Sequence, residues 1–383
     1  MSFARGSRHE VSYVPEVVKG VTPATPAMKL LRVTSVGLEM TKGGFQSSEL
    51  RSDRQIADFR HGTKQVAGDL GLELSYEAFD DLLAGALFNS WSSLATVVSS
   101  AIAATGANQL TGSFSGFAAG DQVSVEGFST AANNGLWQLA AATAATLTVE
   151  GALAPEAAGN EITLTRHPRL AGAAEEKTFT VERRFTGLAI PQYHVFTGCM
   201  VNKLALSVKP DGMVTGTLGL MGMGAATSGT SLGEPAAAQA NSPFDSFRGS
   251  LAEGGSTVGV VTGLDLSLEN GINPAYVVGS DQAADLVDGR ANLTGTLTAF
   301  FEDSELLDKF INESETSLVL MLEDVHMGAS RGNRYYFHLP RLKFTGGSVQ
   351  VSEEGAVPIS LPFQALYDAD HGYTLAVSKV DHD

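Results

Sequence analysis

The sequence predicts a mainly β protein with two tandem β-sandwich or half-barrel domains, each with a short helix, and a small all-β domain inserted into the first. Apolar residues alternate with small or polar ones over many short segments, which is typical of antiparallel sheets with one face on a core. The chain holds 42 glycines and only 17% charged residues, a composition that favours a folded, β-rich protein. Blocks of this pattern also recur at large offsets, which indicates an internal duplication.

Three blocks carry the duplication. An alternating strand recurs 228 residues later, with apolar residues Val36, Leu38 and Met40 in the first copy and Leu264, Leu266 and Leu268 in the second. A helical segment recurs 224 residues later, with Leu82 and Leu306 at equivalent places. Strands within 177–204 align with 317–344 at an offset of 140. The first copy therefore carries 84 extra residues, the difference between the last two offsets, which predicts one inserted domain.

The first half is predicted to run from strands through a helix to a hairpin. Its strands are runs of alternating residues at 33–40, 66–74, 177–184, 192–200, 204–208 and 214–220. A long connection at 41–65 separates the first two. A helix at about 76–88 has apolar residues at helical spacing, and Ser75 is a plausible N-cap.

The second half repeats this order. Its predicted strands are 261–269, 291–301, 317–323 and 334–344. A short helix is expected from Ser304 to Ile311. Because the order and the alternation are shared by both halves, we expect related folds.

The inserted stretch contains no Lys or Arg between Ser93 and Thr165. Short alternating segments are separated there by turn signals such as Asn133-Asn134-Gly135. This pattern predicts a small all-β domain of about 70 residues. The predicted division of the whole chain is an N-terminal arm (1–30), a first domain (31–92 and 174–224), the insertion (93–173), a linker (225–257) and a second domain (258–383).

Composition argues against several classes of function. A net charge of −17 does not favour a basic nucleic-acid surface. The single cysteine, Cys199, leaves no intrachain disulfide or thiolate metal cluster, and we interpret it as a buried core residue. Gly229 to Gly233 match a G-x-S-x-G motif around Ser231, but they lie in the predicted linker without a strand before or a helix after. We therefore predict no enzymatic activity, no metal site and no cofactor.

The chain shows no sign of secretion or membrane insertion. Its first residues lack the apolar core of a signal peptide, and no run of about 18 apolar residues occurs. We expect a protein that is made in the cytosol and contacts no membrane.

The connection at 41–65 is too long for a passive turn in a compact domain. It is rich in charged residues, of which we single out Arg51, Asp53, Arg54, Asp58 and Arg60. One interpretation is a mobile loop. The other is a contact loop that docks on another subunit, where mixed charges set the register.

Three segments near the start carry a resemblance to a known family. They are GVTPATP (20–26), SSELRSDRQIADFRHG (47–62) and VAGDLGLELSY (66–76). These are similar to the opening of tail tube (major tail) proteins of long-tailed, siphovirus-type bacteriophages, most clearly over about residues 15–90. The predicted domains are then tail-tube-like, and Arg51, Asp53, Arg54, Asp58 and Arg60 become candidates for a contact between rings.

The resemblance implies a virion protein that is assembled in the host cytoplasm. Its sheets join side by side into a β-barrel ring, and the rings stack into a tube that conducts the genome. Six copies make a ring in single-domain members, so a duplicated chain is expected to form homotrimeric rings with pseudo-sixfold symmetry. Implied partners are the chain itself, the tape measure and other tail proteins, and DNA in transit without specific binding.

The residues themselves agree with a channel. Edges of half-polar sheets are an aggregation hazard unless they pair with a neighbour. A wall of small, polar and acidic residues repels phosphates, so DNA slides along it. The predicted channel face comprises Glu39, Asp69, Glu73, Thr215, Thr217, Asp265, Glu269, Thr296 and Thr298.

A second function remains open on the sequence. A secreted or surface-exposed β-repeat protein of the fimbrial or adhesin type also polymerises through sheet edges. The absence of a signal peptide core and of disulfides counts against it.

Overall fold

Strands dominate the protein in a computed structural model, which describes residues 3–258, 261–324, 332–349, 351 and 355–381. Strands account for 51% of the chain and helices for 5%, so the predicted mainly β class is confirmed. Up to the first helix the elements are a 3₁₀ turn (Gly6–Arg8), β1 (His9–Pro15), β2 (Lys29–Leu31), β3 (Ser35–Val36), β4 (Glu39–Gln46), β5 (Phe59–Glu73) and α1 (Asp80–Ala86).

The chain then forms a separate seven-stranded sheet. Its elements are β6 (Ala95–Ser99), β7 (Ala103–Thr105), β8 (Gln109–Thr111), β9 (Gln122–Glu126), a 3₁₀ turn (Ala131–Asn133), β10 (Gly135–Ala142), β11 (Thr146–Val149) and β12 (Ile162–Arg166). It has its own apolar core, with Leu110, Val123, Val125 and Leu164 fully buried. Ser92 N–H donates to the Arg169 carbonyl (2.9 Å), so the two ends of this insertion are adjacent.

The rest of the first half returns to the large sheet. Its strands are β13 (Arg169–Ala171), β14 (Phe179–Phe185), β15 (Gln192–Val208), β16 (Thr215–Gly222) and β17 (Gly224–Ser228). The second half contributes β18 (Ser250–Glu253), β19 (Ser256–Thr257), β20 (Val261–Glu269), β21 (Asn273–Tyr276), β22 (Ala283–Val287), β23 (Asn292–Phe300), α2 (Glu305–Ile311), β24 (Glu315–Glu323), β25 (Arg334–Phe344), β26 (Ser348–Val349), β27 (Pro358–Ala365) and β28 (Ala376–Val380).

The two halves repeat one pairing register. In the first half β5 pairs with β16 so that Gly71 faces Thr217; in the second, β23 pairs with β27 so that Thr298 faces Ser360. Residues of β23 thus lie 227 positions after their equivalents in β5, and residues of β27 lie 143 positions after their equivalents in β16. Their difference, 84, equals the insertion length expected from the sequence. Equal registers across both halves support a tandem duplication.

The halves merge into one 19-stranded sheet. The second part of β15 pairs with β20, and Leu204 faces Leu268 there. The alternating leucines of both halves point to one side and form a common core, which includes Leu70, Leu218, Leu297 and Leu361. Helix α1 covers this core with buried Leu82 and Leu83, and Phe79 just before the helix is buried as well, whereas α2 has no buried residue and lies at its margin.

Several local predictions need correction. Ser75 is not the N-cap of α1, because the helix begins after Phe79 and Ser75 is buried beside Arg32. Strands predicted at 192–200 and 204–208 are one strand, β15, since a bulge near Val201 keeps the pairing continuous. The connection at 41–65 is not a loop: β4 extends through its first part and β5 begins at Phe59.

The segments assigned to an arm and a linker contribute to the sheet. Strand β1 pairs with β14 and buries Val11 and Tyr13. Within 225–257, β18 pairs with β24, and Phe244 is fully buried with its N–H on the Leu74 carbonyl (2.8 Å). Strand β13, at the end of the stretch assigned to the insertion, pairs with β28 of the second half.

Candidate assembly surfaces

The polar side of the large sheet is concave and spans both halves. All nine residues predicted for the channel face lie on its strands and are exposed or half-buried: Glu39, Asp69, Glu73, Thr215, Thr217, Asp265, Glu269, Thr296 and Thr298. Four of them, Thr215, Thr217, Asp265 and Thr296, line one open trough. The structure thus brings together residues that are far apart in the sequence.

The trough is lined with hydroxyl groups and a few charges. Ser207 Oγ and Asp265 Oδ1 lie 2.6 Å apart across the junction of the halves. Lys203, which the sequence analysis missed, faces the same trough with its Nζ 3.9 Å from Glu269 Oε1. The sequence signal that could have identified Lys203 was its position in the alternating pattern of β15. A surface of this kind offers polyanions no cluster of cations.

Several strands of the large sheet pair on one side alone, and two such edges have counterparts that pair within the chain. Among the described residues, β3 and β4 pair with β5 alone, and β26 pairs with β27 alone. Gly37 N–H donates to the Asp69 carbonyl (2.7 Å), so the alternate residue Leu38 directs its backbone outward. The Leu38 carbonyl accepts a hydrogen bond from Arg183 Nη1 (2.8 Å). In a single chain the flexible side chain of Arg183 therefore covers part of this edge. A charged side chain at a strand edge is a known protection against uncontrolled pairing.

The open edges correspond to strands that pair within the chain. Strand β3–β4 is the counterpart of β20, at an offset of 228, and β26 is the counterpart of the second part of β15, at an offset of 143. Within the chain, β20 and the second part of β15 pair with each other, with Ala205 opposite Ser267. The internal junction is therefore a template for a contact between copies.

The hairpin of β4 and β5 is a two-stranded ribbon. Every residue from Glu39 to His61 is exposed. The Phe59 ring covers Gly44 and the Phe45 ring covers Gly62, so that a β carbon at either glycine would meet a ring atom at 2.6 Å. Such cross-strand cover of glycine by aromatic rings stabilises a ribbon that has no third strand.

The five charged residues predicted as a contact lie at or next to the ribbon's tip, which is the connection from Ser47 to Asp58 between β4 and β5. Arg51 donates to both carboxylate oxygens of Asp53 (3.0 and 2.7 Å), which lowers the pKa of Asp53. Arg60 Nε lies 2.9 Å from Asp58 Oδ2, and Arg54 occupies the turn with a φ of 61°. Four of these charges are thus paired within the ribbon. The same segment exposes two large apolar side chains, Leu50 and Ile56.

A buried polar cluster joins the insertion to the second half. His338 on β25 lies 2.8 Å from the Tyr373 hydroxyl through Nδ1, and its Nε2 lies 3.2 Å from the Gln138 amide nitrogen. Arg169 Nη1 pairs with buried Asp121 (3.0 Å) beside them. Burial lowers the pKa of His338 to about 3, and the charges of His371 and Arg169 act in the same direction. The imidazole is therefore neutral in the folded state.

Replacing His338 by Gln is expected to reduce the loss of stability in acid. The folded-state pKa lies below the ordinary value of 6.5, so the unfolded chain binds the proton first and stability falls as the pH drops from 6.5 towards 3. Each unit of pKa difference corresponds to about 1.4 kcal/mol. Denaturant unfolding at pH 7.5 and 4.5 measures this, with exposed His61→Gln as the control. Equal acid sensitivity of wild type and His338→Gln would contradict a buried neutral imidazole.

Residues considered for chemistry have structural partners. The Ser231 hydroxyl lies between Glu182 Oε2 (3.1 Å) and Arg184 Nη1 (2.9 Å). Cys199 is fully buried, and burial raises the pKa of its thiol. Within the described part of the chain no group of His, Cys, Asp and Glu side chains is arranged to hold a metal ion. No helix there is long and apolar enough to cross a membrane.

A concave polar face, two open edges that match an internal junction and a projecting ribbon define a β-sheet subunit of the kind that extends its sheet through neighbours. A family model described as phage tail tube protein matches residues 6–365. The chain therefore belongs to the phage tail tube protein family and is a structural protein of the virion tail. A search of curated proteins found no significant match.

Proposed function

We propose that this protein forms homotrimeric rings that stack into the tail tube, and that the tube conducts the genome during delivery. The observation that carries the proposal is the internal junction of β15 with β20. Its two counterparts, β26 and β3–β4, are open in the single chain. When β26 of one copy pairs with β3–β4 of the next, every half contacts its neighbours in the same way and the sheet closes into a barrel.

The template specifies the register of this contact. Since Ser267 faces Ala205 within the chain, Glu39 of one copy faces Ser348 of the next, and Leu38 faces Val349. Met40 and Val349 are each 37% exposed, so their apolar surface remains to be covered. Three copies supply six half-units, which gives pseudo-sixfold symmetry around a true threefold axis.

The trough is proposed to line the channel. Its hydroxyl groups hydrate readily, and the carboxylates of Asp69, Asp265 and Glu269 repel phosphates, so DNA passes without a specific site. The remaining partners proposed for the tube are the tape measure and other tail proteins, and assembly takes place in the host cytoplasm. Rings stack through the ribbon tip that carries Arg51, Asp53, Arg54, Asp58 and Arg60.

A disulfide across the proposed edge tests both the register and the ring size. Glu39→Cys with Ser348→Cys is expected to crosslink neighbouring chains on mild oxidation, because directly opposed strand residues have Cα atoms about 4.5–5.5 Å apart. The ladder on a non-reducing gel should end at three chains. Cys199 is buried and does not compete.

Ala205→Cys with Ser267→Cys is the matched control. These residues occupy the equivalent positions of the internal junction, so oxidation should give a disulfide within one chain and no ladder. A ladder ending at six chains would contradict the trimer. An absence of intermolecular crosslinks in assembled protein would contradict edge pairing itself.

A further inference from the structure

The large sheet has two different ends. At one end, Val66 pairs with Gly222 and the β4–β5 ribbon projects beyond them; we call this the ribbon end. At the other, Glu73 pairs with Thr215 and β15 turns into β16; we call this the turn end. From Lys64, whose N–H is bound to the Asp281 carbonyl, the ribbon continues five residues to Phe59, a reach of about 17 Å at ~3.3 Å per residue.

The tip of the ribbon exposes two large apolar side chains beside its charged residues. Leu50 is 99% exposed and Ile56 is 64% exposed, and neither covers a glycine as Phe45 and Phe59 do. An isolated two-stranded ribbon is at best marginally stable in water. Apolar side chains at its end add a cost that is removed only by burial against a partner.

The turn end carries an apolar pocket of about 340 Å³. Its walls include Val208, Pro210, Phe247, Leu251, Val261 and Leu264, with one charge of each sign, Lys209 and Asp211, in the turn beside them. Phe247 is 74% exposed at its rim. The pocket therefore lies at the end of the sheet opposite the ribbon.

The first half has a counterpart of this pocket with a different lining. It also measures about 340 Å³, and Val33 and Val36 take the places of Val261 and Leu264, whereas Arg183 lines this pocket alone. Arg5 and His9 lie there as well. Its cationic and polar lining suits an apolar tip poorly.

The second half also has a hairpin, but it does not project freely. Strands β21 and β22 fold back on the base of the ribbon, where the Tyr276 hydroxyl donates to the Lys64 carbonyl (2.8 Å) and Lys64 pairs with Asp281 (2.8 Å). Among the described residues, the β4–β5 ribbon thus projects freely at one end of the sheet, and a mainly apolar pocket lies at the other.

We propose that the ribbon tip of one copy, through Leu50 and Ile56, docks in the Phe247 pocket of a copy in the next ring. This rests on the proposed function and makes the stacking contact threefold, although the ring is pseudo-sixfold. A contact between two different surfaces at opposite ends does not close on itself and so adds rings without limit. The ion pairs of Arg51 and Arg60 stay within the ribbon and flank the contact.

Substitution at the tip tests the proposal. Leu50→Asp with Ile56→Asp is expected to abolish tubes in electron micrographs while the Glu39→Cys/Ser348→Cys ladder still reaches three chains. Phe247→Asp should have the same effect. Val278→Asp is the matched control, because this fully exposed residue lies on the second hairpin at the same end; its tubes should remain.

A crosslink between two singly substituted proteins identifies the pocket. Leu50→Cys mixed with Phe247→Cys should give a disulfide-linked pair in tubes, whereas Leu50→Cys mixed with Ala4→Cys, in the counterpart pocket, should not. Intact tubes from the tip variant, or crosslinking to residue 4 in place of 247, would overturn the docking site and leave the ring untouched. Loss of both tubes and ladder in every variant, the Val278→Asp control included, would instead count against the ring.

Discussion

A subunit carrying Met40→Pro is expected to fold and to remain monomeric. Met40 lies on β4 opposite Val66, in phase with Leu38, so its N–H points to the open edge. Proline removes that donor and blocks the approach of a neighbouring strand, but it is tolerated on an edge strand whose other hydrogen bonds are kept. The loss applies to every lateral contact of the ring, so assembly should stop at its first step.

Analytical ultracentrifugation and circular dichroism separate assembly from folding here. Met40→Ala is the control: it removes the same side chain and leaves the backbone donor, so rings should persist. Rings formed by Met40→Pro would show that β4 is not the lateral edge. A Met40→Pro protein with no β signal would show that the edge supports the fold of the subunit as well.

Replacing Tyr335 by Ala is expected to destabilise the subunit by about 3–5 kcal/mol, the range for a fully buried aromatic residue. Tyr335 comes from β25 of the second half but is packed among first-half rings, with centroids 5.1 Å from Tyr76 and 6.2 Å from Trp91. Its hydroxyl accepts from the Glu77 N–H (2.8 Å) and donates to Asp80. The substitution therefore weakens the contact between the second half and helix α1.

Tyr335→Phe separates packing from hydrogen bonding. Without the hydroxyl the Glu77 N–H is left unsatisfied, at a cost of about 1–3 kcal/mol, while Asp80 keeps its ion pair with Lys379 (2.7 Å). Urea unfolding in the Met40→Pro background avoids stabilisation by assembly. Tyr367→Ala, at an exposed site, should change stability by less than about 0.5 kcal/mol. A similarly small effect of Tyr335→Ala would contradict its role as the joint between the halves.

The strands that were predicted well are those with one buried face. β20 and β25 have the predicted bounds, because Leu264, Leu266 and Leu268 alternate with residues that face the trough. The ribbon was missed because it has no buried face. All residues of its outer part are exposed, so no alternation marks β4 beyond Met40. The glycines facing Phe45 and Phe59 were the only signal in the chain.

The polar face of the sheet, which we propose lines the channel, could be predicted because alternation assigns each residue of a strand to one side. The sequence located the charged residues of the tip but did not show that they pair with one another. The pairing of Arg51 with Asp53 depends on the turn that they form. His338 and Phe247 had no signal in the sequence. One is buried by the insertion and the other stands at a pocket whose walls come from distant strands.

The sequence by itself determined the β class, the duplication, the size of the insertion and the polar side of the sheet. These follow from periodicity and offset, which are local properties of the chain. Only the tertiary structure decided which edges stay open, where the ribbon projects and where its pocket lies. Those features depend on strand register and on contacts between residues far apart in the chain, and a shift of one residue in register would turn every side chain to the other face.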